Sequence, residues 1–394
     1  MDKTTNGLNA VLGALTADAA ALGLHWLYDT DRFAEVAGDH VVFRQPRIED
    51  YEGFTGYFAH GCRKPGDLSH YGESLMVMLR SLAENNGEFA AHHYQKVFKL
   101  YFGPGGRFVG YIDNATRITL QNLARIEGEA VAAALTAAPQ LSDETRNKLI
   151  GQVLPYCRIY SGQALRAPVE RDIRMTGGDD QMVEIAWDIV RVVDEVASQV
   201  SGADDDQVSA TAKLPPLVAC LAHHYEAGSS KLAEIIETAV RATNNNDEAV
   251  RYAKLCSVLL ESVIRGESTI EAIREALASV DPEARKRLEK AVNIDRSVNP
   301  VQAIKNLGQT CYVFEAIPAV FYLLTHAESF SEAVIWNIQA GGDSCGRGII
   351  LGAVLGAVLG VSGPTGIPLQ WLLRVNEGAT ALELLNRAIR GPTR

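Results

Sequence analysis

No two cysteines in this 394-residue chain stand in a C-x-x-C pair. The six present, at 62, 157, 220, 256, 311 and 345, are scattered. That excludes a zinc ribbon, argues against a disulfide frame, and leads us to expect reduced thiols in a cytoplasmic protein. Positive charge is also scarce. Lys and Arg number 37 against 48 Asp and Glu, a net charge of −11, so a nucleic-acid backbone is not an expected partner. The start of the chain lacks a basic segment and a small-residue cleavage site, and its apolar run is broken by Asp18; a first helix is expected there, not an export signal. The apolar stretch from Ile349 to Gly360 is too short for the roughly twenty residues of a membrane span, and no membrane partner is expected. Alternating β-branched runs are almost missing, as are long flexible linkers and repeats of fixed period.

What is present is helical periodicity. It predicts helices over 7–23, 73–85, 88–101, 115–136, 142–165, 180–200, 208–226, 230–241, 246–265, 268–278, 282–292, 310–324, 330–338, 346–361 and 379–390. Breaks fall at 103–106, 176–179 and 201–206, none long enough for an interdomain linker. The expected architecture is therefore all-α: one compact multi-helix domain over residues 1–394, with polar loops converging on one site.

Near the C-terminus, Gly348, Gly352, Gly356 and Gly360 fall four apart, on one face of a helix. Each costs about 1 kcal/mol relative to alanine, so the stripe suggests close approach of another backbone. Just ahead lies Gly341-Gly342-Asp343-Ser344-Cys345-Gly346-Arg347, a turn that sets Asp343 and Ser344 at a helix N-terminus, where free N–H groups favour oxygen ligands and N-caps alike. Other helix boundaries combine polar and aromatic residues: Leu24-His25-Trp26-Leu27-Tyr28-Asp29 directly after the first helix, Ser69-His70-Tyr71-Gly72-Glu73-Ser74, Gly110-Tyr111-Ile112-Asp113-Asn114-Ala115-Thr116-Arg117 and Asp204-Asp205-Asp206-Gln207. Each has a bland reading as a cap or a satisfied core residue. Together they suggest a site built from helix N-termini. The adjacent pairs His92-His93 and His223-His224 are poorly spaced for a shared metal.

Residues 312–360, with their Gly-Gly-Asp turn and small-residue helix, closely resemble the ADP-ribosylglycohydrolase family. So do residues 13–23, 241–266 and 366–375, in the right order; the middle, about 120–205, matches poorly. The resemblance implies an all-α fold, an active centre with two magnesium ions, and cleavage of the glycosidic bond between ADP-ribose and an acceptor side chain. It also implies metal-holding motifs, Thr-Asp-Asp near the N-terminus and Asp-x-Asp-Thr/Ser near the C-terminus. This chain departs at both. It carries Tyr71-Gly72-Glu73-Ser74 in the first place and Asp343-Ser344-Cys345-Gly346 in the second, so four carboxylates become two. Hard divalent ions want several oxygen ligands, so the two-metal centre is not expected; one Mg²⁺ at most, on Glu73 and Asp343, is. The phosphate-binding segment keeps only Lys213, Pro216 and Leu217. The variant motifs resemble the J1-crystallin branch of the family.

On that resemblance Glu73 and Asp343 are the expected catalytic acids. His25, Trp26, Tyr28, Asp29, Tyr71, Asp113, Arg117, Ser344 and Arg347 are the expected substrate contacts, with Arg347 filling the charge space a metal would vacate or gripping phosphate. The leading reading is a glycosidase on an ADP-ribosyl or other ribosyl conjugate, its partner a small-molecule or ADP-ribosylated substrate. Two others stay open: a non-catalytic crystallin-like or ligand-binding descendant, and an enzyme on a different nucleoside-like or phosphorylated substrate.

Overall fold

The computed structural model describes residues 2–36, 38, 40–157, 166–197, 199 and 201–390. Among them the helices run α1 (Lys3–Ala21), α2 (Thr30–Val36), α3 (His70–Glu84), α4 (Ala91–Phe102), α5 (Asn114–Thr136), α6 (Asp143–Cys157), α7 (Arg166–Met175), α8 (Asp180–Ala197), α9 (Leu214–Leu221), α10 (Ser230–Arg241), α11 (Asp247–Arg265), α12 (Thr269–Ala278), α13 (Pro282–Val292), α14 (Pro300–Leu307), α15 (Val313–His326), α16 (Phe330–Gln339), α17 (Ser344–Leu359), α18 (Leu369–Leu372) and α19 (Gly378–Arg390). Short 3-10 turns and isolated β-bridges accompany them, with no strand among the described residues. The all-α reading holds.

Details differ from the periodicity. The end of the expected helix 142–165 lies outside the described residues. The helix Arg166–Met175 was not anticipated, because its sequence is strongly polar and buries only a narrow stripe that includes Val169 and Ile173. The expected helix 208–226 becomes a 3-10 turn, Val208–Thr211, followed by α9. Pro215 and Pro216 lie in the first turn of α9, where a missing N–H costs nothing, and they force a fresh helix start there.

The core centres on α1 and α17, whose backbones meet. A Cβ at Gly13 would stand 2.1 Å from the Gly352 carbonyl oxygen, one at Gly352 2.3 Å from that of Gly13, and one at Gly356 2.3 Å from that of Asn9. The stripe therefore divides. Gly352 and Gly356 make the contact, Gly348 has ordinary room, and Gly360 caps the helix at φ 72°. The segment Lys3–Leu24 is long and apolar enough to cross a membrane, yet 94% of its most apolar window is buried here as the central helix. A second, smaller apolar cluster joins the C-terminal half of α5 to α6, α7 and α8.

Candidate functional site

The site forms where helix starts meet at the N-terminus of α17. Gly341 and Gly342 take φ values of 73° and 67°. A side chain at Gly342 would collide with the Gln309 carbonyl, 2.1 Å from its Cβ. This turn is clamped to the loop after α1: Gly342 N–H donates to the Leu27 carbonyl at 2.8 Å, and Trp26 N–H to that of Gly342 at 2.9 Å. Trp26 itself sits at φ 64°, a conformation that is a true outlier for a bulky side chain. Strain of this kind persists only where the surroundings enforce it.

Asp343 caps α17 by accepting from Gly346 N–H at 2.9 Å. The same oxygen meets His25 Nε2 at 2.9 Å, and the other accepts from the Tyr71 hydroxyl at 2.6 Å. Its carboxyl is fully buried. Burial pushes its pKa up, but hydrogen bonds from His25, Tyr71 and Gly346 outweigh this and hold it below the ordinary value. Beyond it, His25 Nδ1 meets His60 Nε2 at 2.7 Å. With Asp343 ionised, this chain has one consistent neutral proton assignment: His25 donates from Nε2, His60 donates from Nε2 into His25 Nδ1, and the lone pair falls on His60 Nδ1. Burial pushes His60 well below its usual pKa, with His25 and His70 adding to the effect.

Rings pack around this chain. Trp26 stacks on His25 with centroids 4.2 Å apart and meets Tyr111 edge-on at 5.0 Å. His70, at the first position of α3, lies 3.9 Å from the Tyr71 ring and 5.4 Å from Tyr111. Tyr57 is more than half exposed and closes the group at the surface. The start of α3 is held from below by Asp18 of α1, which accepts from Ser69 N–H at 2.8 Å and from the Ser69 hydroxyl. Burial raises Asp18 to about 7.

A second polar nest adjoins Asp113. Buried Lys213 donates to Thr243 and Asn244, and burial lowers it to about 7 while the charges of Asp113 and Asp205 partly offset this. Asp205 is raised to about 6, again chiefly by burial.

The expected contacts therefore separate. His25, Trp26, Tyr71, Asp343 and Asp113 converge, and Tyr28 lies near enough to feel the charge of Asp343. Glu73 faces different partners: one oxygen accepts from Arg63 at 2.8 Å, the other from Tyr101 at 2.5 Å. Burial raises its pKa despite both. Arg347 is fully buried and donates to the Asn337 side chain at 2.8 Å, the Asn337 carbonyl at 3.1 Å and the Gly341 carbonyl at 2.5 Å. It braces the Gly-Gly-Asp turn from behind through Nε and Nη2, while its buried Nη1 has no protein partner. Ser344 is buried too. Asp29 is spent on Asp31 N–H at 3.1 Å. Arg117 is exposed and pairs with Asn114 on the surface.

The metal expectation fails on the same geometry. Both oxygens of Asp343 and both of Glu73 already have protein partners. A Cβ at Gly72, where the family has an acid, would lie 2.4 Å from Asp18 Oδ2. No cluster of three His, Cys, Asp or Glu among the described residues is arranged to hold an ion. The residues do not fit the family's metal pair. Two site residues are not marked by the sequence pattern. His60 sits in a loop of no periodicity, with nothing around it to single it out. His70 stands inside the Ser69–Ser74 motif but has the appearance of an ordinary helix start.

An all-α fold with an acid-bearing Gly-Gly-Asp turn at the head of a buried small-residue helix defines a narrow class. The ADP-ribosylglycohydrolase family model matches residues 2–393, and the chain belongs to that family. It is 26% identical over 371 residues to crystallin J1A of Tripedalia cystophora, covering 94% of this chain and 91% of that protein. It is 25% identical over 383 residues to crystallin J1B of the same animal, covering 97% and 95%. A solved "ADP-ribosylglycohydrolase-related protein complex" chain shares the fold, with a TM-score of 0.52 at 16% identity over 100% of this chain and 99% of that one.

Proposed function

We propose that this protein hydrolyses a glycosidic bond in a ribosyl conjugate, with ADP-ribosyl conjugates as the first candidates, and that it does so without the family's metal pair. The observation that carries the reading is the Asp343–His25–His60 chain at the family's C-terminal motif. Membership of the family supports the reaction class. In it, His60 Nδ1 takes a proton from water as the oxygen bonds to the anomeric carbon. The bond to the departing oxygen or nitrogen breaks, and that atom leaves with a proton from an acid or solvent. Asp343 and His25 fix the tautomer and orientation of His60 so that its Nδ1 lone pair is free for the water, the positioning part a carboxylate plays behind a catalytic imidazole. The aromatic wall of Trp26, Tyr57 and Tyr111 packs the sugar or its base.

A second reading, a ligand-binding or structural descendant, is favoured by one observation: Glu73 and Asp343 are both consumed by protein partners. The test is release of free ADP-ribose from arginine-linked and serine-linked ADP-ribosyl peptides, in EDTA and in Mg²⁺. Turnover that persists in EDTA and disappears in His60→Gln is the expected result. Turnover that requires Mg²⁺ overturns the metal-free mechanism. Absence of turnover in both buffers overturns the hydrolase reading.

A further inference from the structure

His60 lies in a stretch, residues 51–69, that forms no helix, so no helical ladder fixes its backbone. A short turn holds it instead. Arg63 N–H donates to the His60 carbonyl at 2.9 Å, and Gln45 Nε2 donates to the Arg63 carbonyl at 3.0 Å. The Arg63 guanidinium lies over the Phe108 ring, 4.5 Å from its centroid, and donates through Nη2 to Glu73 Oε1 at 2.8 Å. The side chains of both ion-pair partners are largely buried. Tyr101 donates to the other Glu73 oxygen, so the carboxylate is fixed from two sides. These contacts close a circuit. Asp343 meets His25, His25 meets His60, and the turn carries Arg63 to Glu73. Two residues back along α3, Tyr71 donates to Asp343 again. Helix α3 is regular between Tyr71 and Glu73, so the Arg63–Glu73 pair ties the irregular turn to a rigid element that already grips Asp343.

We infer that Arg63 and Glu73 are positioning residues that act on His60 through the turn of residues 60–63 and fix the direction of its Nδ1. This role rests on the reading that His60 is the base; the circuit itself does not. An imidazole has two neutral tautomers, and the hydrogen bond made by one nitrogen sets the state of the other. His60 Nδ1 stays bare only while Nε2 keeps donating to His25. A turn free to swing would take Nε2 away from His25, and either nitrogen could then carry the proton. Arginine suits the task, because its planar guanidinium can lie on a ring and donate to a carboxylate at once. Its charge also favours the neutral His60 ring, behind the larger effects of burial, His25 and His70. Glu73 thereby has a part at the site that needs no metal.

The test reads His60 directly, by long-range proton–nitrogen NMR of the full chain beside turnover of the arginine-linked and serine-linked ADP-ribosyl peptides. The variants are Arg63→Met, Glu73→Ala, their double variant, Glu73→Gln and the milder Arg63→Lys, which carries the test if Arg63→Met does not fold. In the native protein His60 is expected to show two widely separated nitrogen signals, one protonated and one bare. In Arg63→Met and in Glu73→Ala these are expected to move together as the tautomers exchange, while His25, still held by Asp343, keeps its own. A fall in kcat of about tenfold to a hundredfold is expected with them, with KM within about threefold. The double variant is expected to cost no more than either single one. Glu73→Gln keeps an acceptor for Arg63 and is expected to restore the native separation. If the tautomer is lost without a change in kcat, or if no variant and not even the native chain turns over, the positioning role stands and the reading of His60 as base falls. If folded variants keep the His60 signals apart, the positioning role is wrong, and native turnover in EDTA leaves the hydrolase reading intact. Loss of the His25 and His60 tautomers together marks general loosening and also overturns the inference.

Discussion

Asp18 links the core helix to the site, and its carboxyl offers a quantitative test. The perturbation is Asp18→Asn. The native carboxyl is fully buried between α1 and the start of α3, where Ser69 donates to it twice. Burial raises it from 3.8 to about 7. A folded-state value above the unfolded one means that the folded protein holds the extra proton. The benefit is complete below the unfolded pKa and is lost as pH rises through 3.8 toward about 7. The gap corresponds to a ceiling of about 4 kcal/mol. Asparagine has the same shape; its oxygen accepts from Ser69 N–H and its amide donates to the Ser69 hydroxyl, which already accepts from Tyr71 N–H at 3.1 Å. The variant has no proton to lose. Urea unfolding at a series of pH values from about 4 to 8 is therefore expected to show the variant gaining on the native protein by about 2–4 kcal/mol across that range, with little change above it. Parallel stability curves for the two proteins would refute the buried, proton-holding carboxyl.

Gly352→Ala places a methyl group against the Gly13 carbonyl and is expected to cost about 3 kcal/mol or more; Gly348→Ala, with a nearest neighbour at 3.4 Å, serves as its control in the same melting experiment. Arg347→Lys removes the planar fork that holds Asn337 and Gly341, and a loss of about 2–4 kcal/mol in urea unfolding is expected; unchanged stability would free Arg347 to act as a ligand contact. Because Glu73 and Asp343 are held by protein partners, dialysis against EDTA or addition of millimolar Mg²⁺ is expected to leave the melting temperature where it was. A ligand-like rise with Mg²⁺ would reveal an ion site that this geometry does not provide.

Legibility from the sequence differs by residue. Asp343 is legible, because a Gly-Gly-Asp turn before a small-residue helix is a local pattern, and an acid at a helix start has only a few uses. His25, Trp26 and Tyr71 stand next to helix boundaries, and that placement marks them. Glu73 is misleading: it lies on the right helix, but two residues beyond Tyr71 a helical side chain points about 200° around the axis, and Arg63 with Tyr101 captures it there. Arg347 follows one turn past the aspartate, which in sequence looks like a cation for a ligand. Only the position of α16 shows that its Nε and Nη2 are spent on Asn337 and Gly341.

The sequence by itself determined the helical class, because periodicity is local and the chain repeats it nearly throughout. It also determined the close packing near the C-terminus, since glycines lined along one helical face cost stability unless a backbone packs against them. Tertiary structure alone decided that the partner backbone is α1, that two of the four glycines carry the contact, and that His60 and His70 belong to the site. Those facts depend on residues brought together from 35 and 318 positions apart, as in His25 with His60 and with Asp343. Such pairings leave no trace in spacing, because a loop's position is set by what the rest of the core leaves for it.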